Sequence, residues 1–210
     1  MKFEELVQKT GHLSCFTAGF LAAGQNLHQI NLQLARWIKS GRIIRIHKGL
    51  YTLAELYRKN RIDLYYISNK LKPPSYTSMQ SALAWCGLIP EYVPAVVSVT
   101  TARPQTIYTP VGRFEYRHIK KTFFWGYQKI ETSPGTFGLM AFPEKALLDL
   151  LYLTAGSDSE KYLKELRLQN TDRLNEKVLE EFAAKTKSPK LMRAVKLIIK
   201  QIRQGEGSQL

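Results

Sequence analysis

The apolar residues between Leu27 and Leu53 change their spacing at Gly41, and this change constrains the fold more than any other feature of the chain. Before Gly41 they recur at the three- and four-residue intervals of an amphipathic helix, at Leu27, Ile30, Leu34, Trp37 and Ile38. After it, RIIRIHKGLYTL has the pattern of a β-hairpin that turns at His47-Lys48-Gly49. Two shorter helices are predicted upstream, at 3–9 and at 17–23, the second capped by Thr17. Three helices followed by a basic hairpin is the order of a winged helix-turn-helix.

The same segment carries no acidic side chain. After Glu5 the next acid is Glu55, and basic residues recur at every third position within this interval, at Arg36, Lys39, Arg42, Arg45 and Lys48. The whole chain has a net charge of +14. Solvated surfaces normally mix both signs, so the exclusion of acids favours a surface that approaches phosphates. We therefore expect double-stranded DNA to be a partner.

The third predicted helix has a candidate base-reading face. With Leu34 at the centre of the buried side, Gln29, Leu32, Arg36 and Lys39 lie opposite it and Gln33 lies at the flank. Gln and Arg make bidentate contacts with base edges, and Leu32 suits a thymine methyl group. The hairpin adds backbone or minor-groove contacts. The predicted DNA-binding residues are Gln29, Leu32, Gln33, Arg36, Lys39, Arg42, Arg45, His47 and Lys48.

Two questions stay open within this segment. An ordinary amphipathic helix with a polar outer side would give the same periodicity as a base-reading helix. Ile43, Ile44 and Ile46 cannot all face inward on a regular strand, so we expect either a β-bulge or one exposed isoleucine.

The remainder of the chain predicts a second domain. A helix over 62–71 ends at Pro73-Pro74, and a helix over 77–86 follows. Strands are predicted at 93–101, 105–109, 113–119, 123–131 and 136–142, and the chain is helical from Pro143 onward. We expect an α+β fold: a winged helix-turn-helix at 1–57, and at 60–205 a mixed α+β domain with a largely antiparallel sheet and C-terminal helices.

The last predicted helix, at 189–203, has an apolar stripe and an opposite basic face. The basic residues are Lys190, Arg193, Lys196, Lys200 and Arg203. One interpretation is a terminal helix that docks on its own core and leaves this face in solvent. The other is a secondary contact with DNA beside the main site, or with an acidic patch on a protein partner, through an attraction that weakens as salt rises.

No pattern in the sequence indicates catalysis. Gly156-Ser157-Asp158 is the one candidate for a nucleotidyltransferase motif, and it is more typical of a loop that caps a helix. Glu144 and Asp149 are five residues apart and point about 140° away from each other on a helix, so they do not form an acid pair. Lys145 is expected to be solvated or packed along its stem. We expect no enzyme activity, no cofactor and no metal site.

The sequence predicts neither a membrane span nor a signal peptide. No apolar run approaches the ~20 residues that cross a bilayer. The first residues lack the pattern of a signal peptide, and Cys15 and Cys86 lie among apolar neighbours, which is typical of unpaired buried cysteines. We therefore expect a cytoplasmic protein without a membrane partner.

Two parts of the chain resemble AbiEi-type antitoxins. Phe16-Thr17 and the segment LARWIKSGRIIRIHKGLY at 34–51 are similar to the winged-helix domain of that family. Tyr76 to Leu83, the strand at 95–101 and FPEKALLDL at 142–150 resemble its C-terminal domain, so that the resemblance covers roughly residues 10 to 155. It implies a repressor that binds inverted repeats upstream of its own operon. It also implies an antitoxin that neutralises a nucleotidyltransferase-like toxin encoded nearby, in phage defence by abortive infection.

Two other functions are compatible with the sequence. One is a stand-alone winged-helix regulator whose C-terminal domain senses a ligand. The other is an enzyme, such as a nuclease that uses the winged helix for targeting.

Overall fold

The N-terminal part forms three helices and a three-stranded antiparallel sheet. The computed structural model describes residues 1–24, 26–90 and 93–206. The first elements are α1 (Phe3–Thr10), β1 (Phe16–Thr17), α2 (Ala18–Leu21), α3 (Leu27–Lys39), β2 (Ile43–His47) and β3 (Leu50–Leu53). The strands pair in the order β1-β3-β2. The winged helix-turn-helix order expected from the sequence is therefore present.

Local capping groups set the bounds of these helices. The Thr17 side chain accepts a hydrogen bond from the Phe20 amide at 3.1 Å and caps α2, as predicted. Asn26 caps α3 by accepting from the His28 amide at 2.9 Å. Gly41, with φ of +71°, follows the end of α3, in a conformation that a residue with a β-carbon adopts at a cost. The chain can then turn directly into the hairpin.

A β-bulge resolves the orientation of the three isoleucines in β2. The pairing of β2 with β3 shifts between Arg45 and His47. Ile43 and Ile46 are both buried as a result, while Ile44 is half-buried. The bulge that the sequence analysis gave as one of two alternatives is therefore confirmed.

The rest of the chain forms a mixed sheet covered by helices. Its elements are α4 (Leu64–Leu71), β4 (Ser75–Thr77), α5 (Met79–Trp85), β5 (Ala95–Thr100), β6 (Gln105–Thr109), β7 (Gly112–His118), β8 (Tyr127–Ser133), β9 (Thr136–Ala141), α6 (Pro143–Leu153), α7 (Glu160–Glu165), α8 (Glu176–Thr186) and α9 (Pro189–Glu206). The six strands have the order β6-β7-β5-β4-β9-β8. β4 pairs with β9 and β5 pairs with β7 in parallel, and the three other pairings are antiparallel. The expected α+β class is confirmed.

Two segments of this sheet differ from the sequence prediction. The helix predicted from residue 77 begins at Met79, because Ser75–Thr77 is a central strand between β5 and β9. The strand predicted from residue 123 begins at Tyr127. Phe123 instead ends a 3-10 turn and stacks on Tyr152, with ring centroids 4.4 Å apart. Aromatic packing against the helices takes precedence over strand propensity there.

Both faces of the six-stranded sheet contact apolar partners. On one face, a core that includes Leu83, Leu147 and Ile198 joins the sheet to α5, α6, α8 and α9. On the other face, Phe114 and Tyr116 of β7 belong to a core that also contains α4 and part of the N-terminal hairpin. In the part of the chain that the structure describes, no helix is long and apolar enough to span a bilayer.

Candidate nucleic-acid interface

The predicted base-reading face of α3 is open to solvent. Gln29, Arg36 and Lys39 are exposed, and Leu32 is 49% exposed. The opposite side of the helix is anchored by Ile30 and Leu34, each 1% exposed, with Trp37 and Ile38 packed beside them. The helix therefore holds its polar face outward on a rigid core. The exposure of Leu32 costs apolar hydration energy that a contact with a base methyl group would offset.

Gln33 lies at the flank of this face. The residue is half-buried, and its side-chain carbonyl oxygen is shielded from solvent without a hydrogen-bond partner among the described residues. Gln33 is thus less exposed to solvent than Gln29 and Arg36.

The hairpin presents its basic side chains away from the core. Arg42, Arg45, His47 and Lys48 are all exposed, and the turn at Gly49 has φ of +79°. The Arg42 guanidinium lies 5.0 Å from the centroid of the Phe3 ring. Arg42 therefore also stabilises the junction with α1 through a cation–π contact, whereas no such ring contact is found for Arg45 or Lys48 within the described residues.

The other side of the hairpin is fixed against the six-stranded sheet. Ile46 and Leu50 are 3% and 8% exposed and belong to the same core as Phe114 and Tyr116 of β7. A hydrogen bond of 3.1 Å from the Asp63 amide to the Ser14 hydroxyl also joins the two parts. The orientation of the wing therefore depends on the sheet behind it.

Three cations of the basic face on α9 have partners within the chain. Lys190 donates to the carbonyl oxygens of Leu151 and Thr154 at the end of α6. Arg193 pairs with Asp158 at 2.7 Å, and Arg203 pairs with Glu176 at 2.7 Å. Lys196 and Lys200 are exposed. The structure therefore brings the five predicted residues to one helix, but it does not present them as five equivalent free charges.

Lys145 lies in the interior of the protein. It is 1% exposed, so it does not lie in solvent: its stem packs beside Gly126, and its amine also forms an ion pair with Asp149, one turn further along α6. The hydroxyl groups of Tyr76 and Ser78 donate to the same carboxylate at 3.0 and 2.7 Å. Gly126 makes room for this arrangement, since a β-carbon there would lie 2.9 Å from the Lys145 side chain.

Desolvation dominates the electrostatics of this buried cluster. Burial lowers the pKa of Lys145 and raises the pKa of Asp149, and the charge–charge attraction between them opposes both shifts. Burial also raises the pKa of Tyr76 well above its ordinary value. The cluster is closed to substrate and satisfies its own polar groups, which is typical of a structural network.

Glu144 has a separate structural role. Its carboxylate accepts a hydrogen bond of 2.8 Å from the Asn175 amide, directly before α8. Glu144 and Asp149 therefore act in different places, in agreement with the expectation that they form no acid pair. Among the described residues, no group of three or more His, Cys, Asp or Glu side chains is arranged to hold a metal ion.

Comparison with known proteins connects the N-terminal geometry to a family of regulators. No curated protein has a significant sequence match to the chain. A family model described as "Transcriptional regulator, AbiEi antitoxin" matches residues 5–54, from within α1 to the end of β3. This match supports a role as a DNA-binding regulator. Residues 5–54, which form the winged helix-turn-helix, are therefore similar to the AbiEi antitoxin family of transcriptional regulators.

Proposed function

We propose that the protein represses its own operon and acts as the antitoxin of a toxin encoded beside it. One observation carries the proposal: the exposed side of α3 and the hairpin is basic and free of acids, and it lies within the segment that matches a family of antitoxin regulators. In this proposal α3 enters the major groove, and Gln29 and Arg36 contact base edges. Arg45, His47 and Lys48 contact the backbone or the minor groove. The operator would consist of inverted repeats.

The toxin that we propose as the partner resembles a nucleotidyltransferase, and the pair would act in abortive infection during phage attack. The support for this finer statement is the antitoxin description of the matched family and the resemblance of 76–83 and 142–150 to the C-terminal domain of AbiEi-type antitoxins. The buried Lys145–Asp149 cluster would then support the domain that neutralises the toxin.

Co-expression with the adjacent gene tests the antitoxin role. The adjacent open reading frame is induced alone and together with this chain, each from a promoter that the chain does not control. We expect induction of the neighbour to stop growth and co-expression to restore it. Lys48→Ala should restore growth as well as the parent does, because it changes a residue of the DNA surface only. A neighbour that has no effect on growth, or whose effect persists on co-expression, would contradict the antitoxin role.

A second candidate is a stand-alone regulator whose C-terminal part senses a ligand. It is favoured by a cavity of about 510 Å³ beside β7. In that case operator affinity would depend on a small molecule, and no neighbouring gene would need neutralisation.

A further inference from the structure

The cavity beside β7 has an apolar floor and a charged wall. Its volume of about 510 Å³ lies within the range of roughly 300–1,000 Å³ that is typical of small-molecule sites. The apolar residues of the lining include Met79, Val93, Val97 and Leu153. The site lies on the face of β7 opposite to Phe114 and Tyr116, so it is separate from the hairpin and from the candidate DNA interface.

The charged wall consists of three alternating residues of β7. Arg113, Glu115 and Arg117 point to the same face of the sheet because side chains alternate along a strand. Both arginines form ion pairs with Glu115. The Glu115 side chain is only 14% exposed, whereas those of Arg113 and Arg117 are 45% and 58% exposed. Each guanidinium has five N–H donors. Glu115 holds the two arginines in position, and most of their N–H donors stay available to a ligand.

An exposed aromatic ring stands beside this wall. Tyr108 of β6 lies directly across from Arg113 in the antiparallel register, and residues across from each other share a face of the sheet. Its side chain is 76% exposed, so the ring is open to contact with a ligand. A flat ring next to the Arg113 guanidinium, at the end of a wall that also carries Arg117, suits a ligand that is both planar and anionic.

The floor of the cavity is held in a fixed conformation. Met79 has φ of +52°, in the left-handed region that side chains with a β-carbon seldom adopt. The preceding Ser78 donates a hydrogen bond to the buried Asp149 carboxylate. The Ser81 hydroxyl donates a hydrogen bond to the Ala95 carbonyl oxygen at 3.2 Å and accepts one from the Val97 amide at 2.8 Å. A strained backbone conformation persists only where the surrounding structure holds it in place, and such residues cluster at binding sites.

We propose that this cavity binds a nucleoside phosphate. Arg113 and Arg117 would hold the phosphate through paired N–H donors, as guanidinium groups do elsewhere. The base would cover the apolar floor and contact Tyr108. With Glu115 between the two arginines, the wall has a net charge of +1, and the Glu115 carboxylate repels a simple anion. The ligand must therefore also offer hydrogen-bond donors to this carboxylate. Sugar hydroxyl and base amino groups meet that requirement.

Binding of nucleotides to the full-length chain tests this proposal. ATP, GTP, CTP and UTP are titrated separately by calorimetry at fixed salt, with inorganic tripolyphosphate as the probe that lacks sugar and base. We expect at least one nucleotide to bind saturably with one site per chain, and more tightly than tripolyphosphate. Arg113→Ala and Arg117→Ala should each weaken it about tenfold, the size of a lost hydrogen bond to a charged group. Lys161→Ala removes an exposed charge outside the cavity and should bind like the parent.

Tyr108→Ala provides a second readout that the fold does not affect, because the ring is exposed. The Tyr108→Ala substitution should weaken nucleotide binding and leave tripolyphosphate binding unchanged. Circular dichroism checks that every variant is folded. The proposal is overturned if none of the four nucleotides binds saturably. It is also overturned if folded arginine variants bind like the parent, or if tripolyphosphate binds as tightly as the nucleotides.

Discussion

Lys145 and Asp149 form an ion pair in the interior of the protein, where each side chain is 1% exposed. The Tyr76 and Ser78 hydroxyl groups complete the hydrogen bonding of the carboxylate. Ser78 is followed by Met79 in the floor of the cavity, so the pair helps to fix the β4–α5 turn. It therefore connects the sequence FPEKALLDL to the shape of the cavity floor.

Lys145→Met should destabilise the protein by about 3–5 kcal/mol, because it leaves the Asp149 carboxylate buried without its cation. The double variant Lys145→Met with Asp149→Leu should recover part of this loss, since no unpaired charge remains. Urea unfolding measures both. Arg193→Ala breaks the exposed pair with Asp158 and should change the free energy of unfolding little. Equal decreases in the free energy of unfolding for Lys145→Met and Arg193→Ala would contradict a structural role of the buried pair.

Stability should fall at alkaline pH. Burial raises the pKa of Cys15 from 9.0 to about 12 and the pKa of Tyr116 from 10.0 to about 12. The folded state holds these protons more tightly than the unfolded state. The contribution of the two groups to the free energy of unfolding is therefore fully present below pH 9 and is lost as the pH rises toward 12. We expect the Tm to decline from pH 9 upward, and less steeply in Cys15→Ala. A Tm that is constant between pH 9 and 11 would show that these groups titrate alike in both states.

The division into domains at 1–57 and 60–205 stays a prediction, and a fragment of residues 1–72 tests it. The core built on Leu6, Ile30 and Leu34 lies wholly within this fragment, which supports independent folding. The fragment loses the sheet that covers Ile46 and Leu50, so we expect a modest stability. Circular dichroism melting and binding to upstream DNA are the measurements. A folded fragment that binds no DNA would contradict a self-contained DNA reader.

The role of the basic face on α9 is tested by the double variant Lys196→Glu with Lys200→Glu. The fold should be unaffected, because both side chains are exposed and the apolar stripe is unchanged. If this face contacts flanking DNA or the toxin, operator affinity or growth rescue should fall, and the effect should weaken at high salt. Unchanged repression together with unchanged rescue would leave α9 with a structural role only.

The sequence predicted the N-terminal part well because its signals are local. Thr17 and Gly41 mark helix ends, and the change of period at Gly41 separates α3 from the hairpin. The sequence did not predict β4, whose three residues are stabilised by pairing with β5 and β9, both distant in the chain. Nor did it predict that Lys145 is buried, since its partner Tyr76 comes from another element, β4.

The charged wall of the cavity on β7 has a signal in the sequence. Charged and aromatic residues alternate from Arg113 to Arg117, and a strand places the three charges on one face. The presence of a cavity above that face depends on where α5 and α6 lie, which no local pattern specifies.

Binding of the full-length chain to the DNA upstream of its own gene, measured over a series of salt concentrations, tests the central claim most directly. We expect Arg36→Ala to weaken binding to the preferred site by about 1–3 kcal/mol and to relax the choice of sequence. Lys48→Ala should weaken binding to all sequences alike and flatten the salt dependence, because it removes a phosphate contact. If both variants bind with the affinity, sequence preference and salt dependence of the parent, the assigned face of α3 and the hairpin is not the DNA-binding surface.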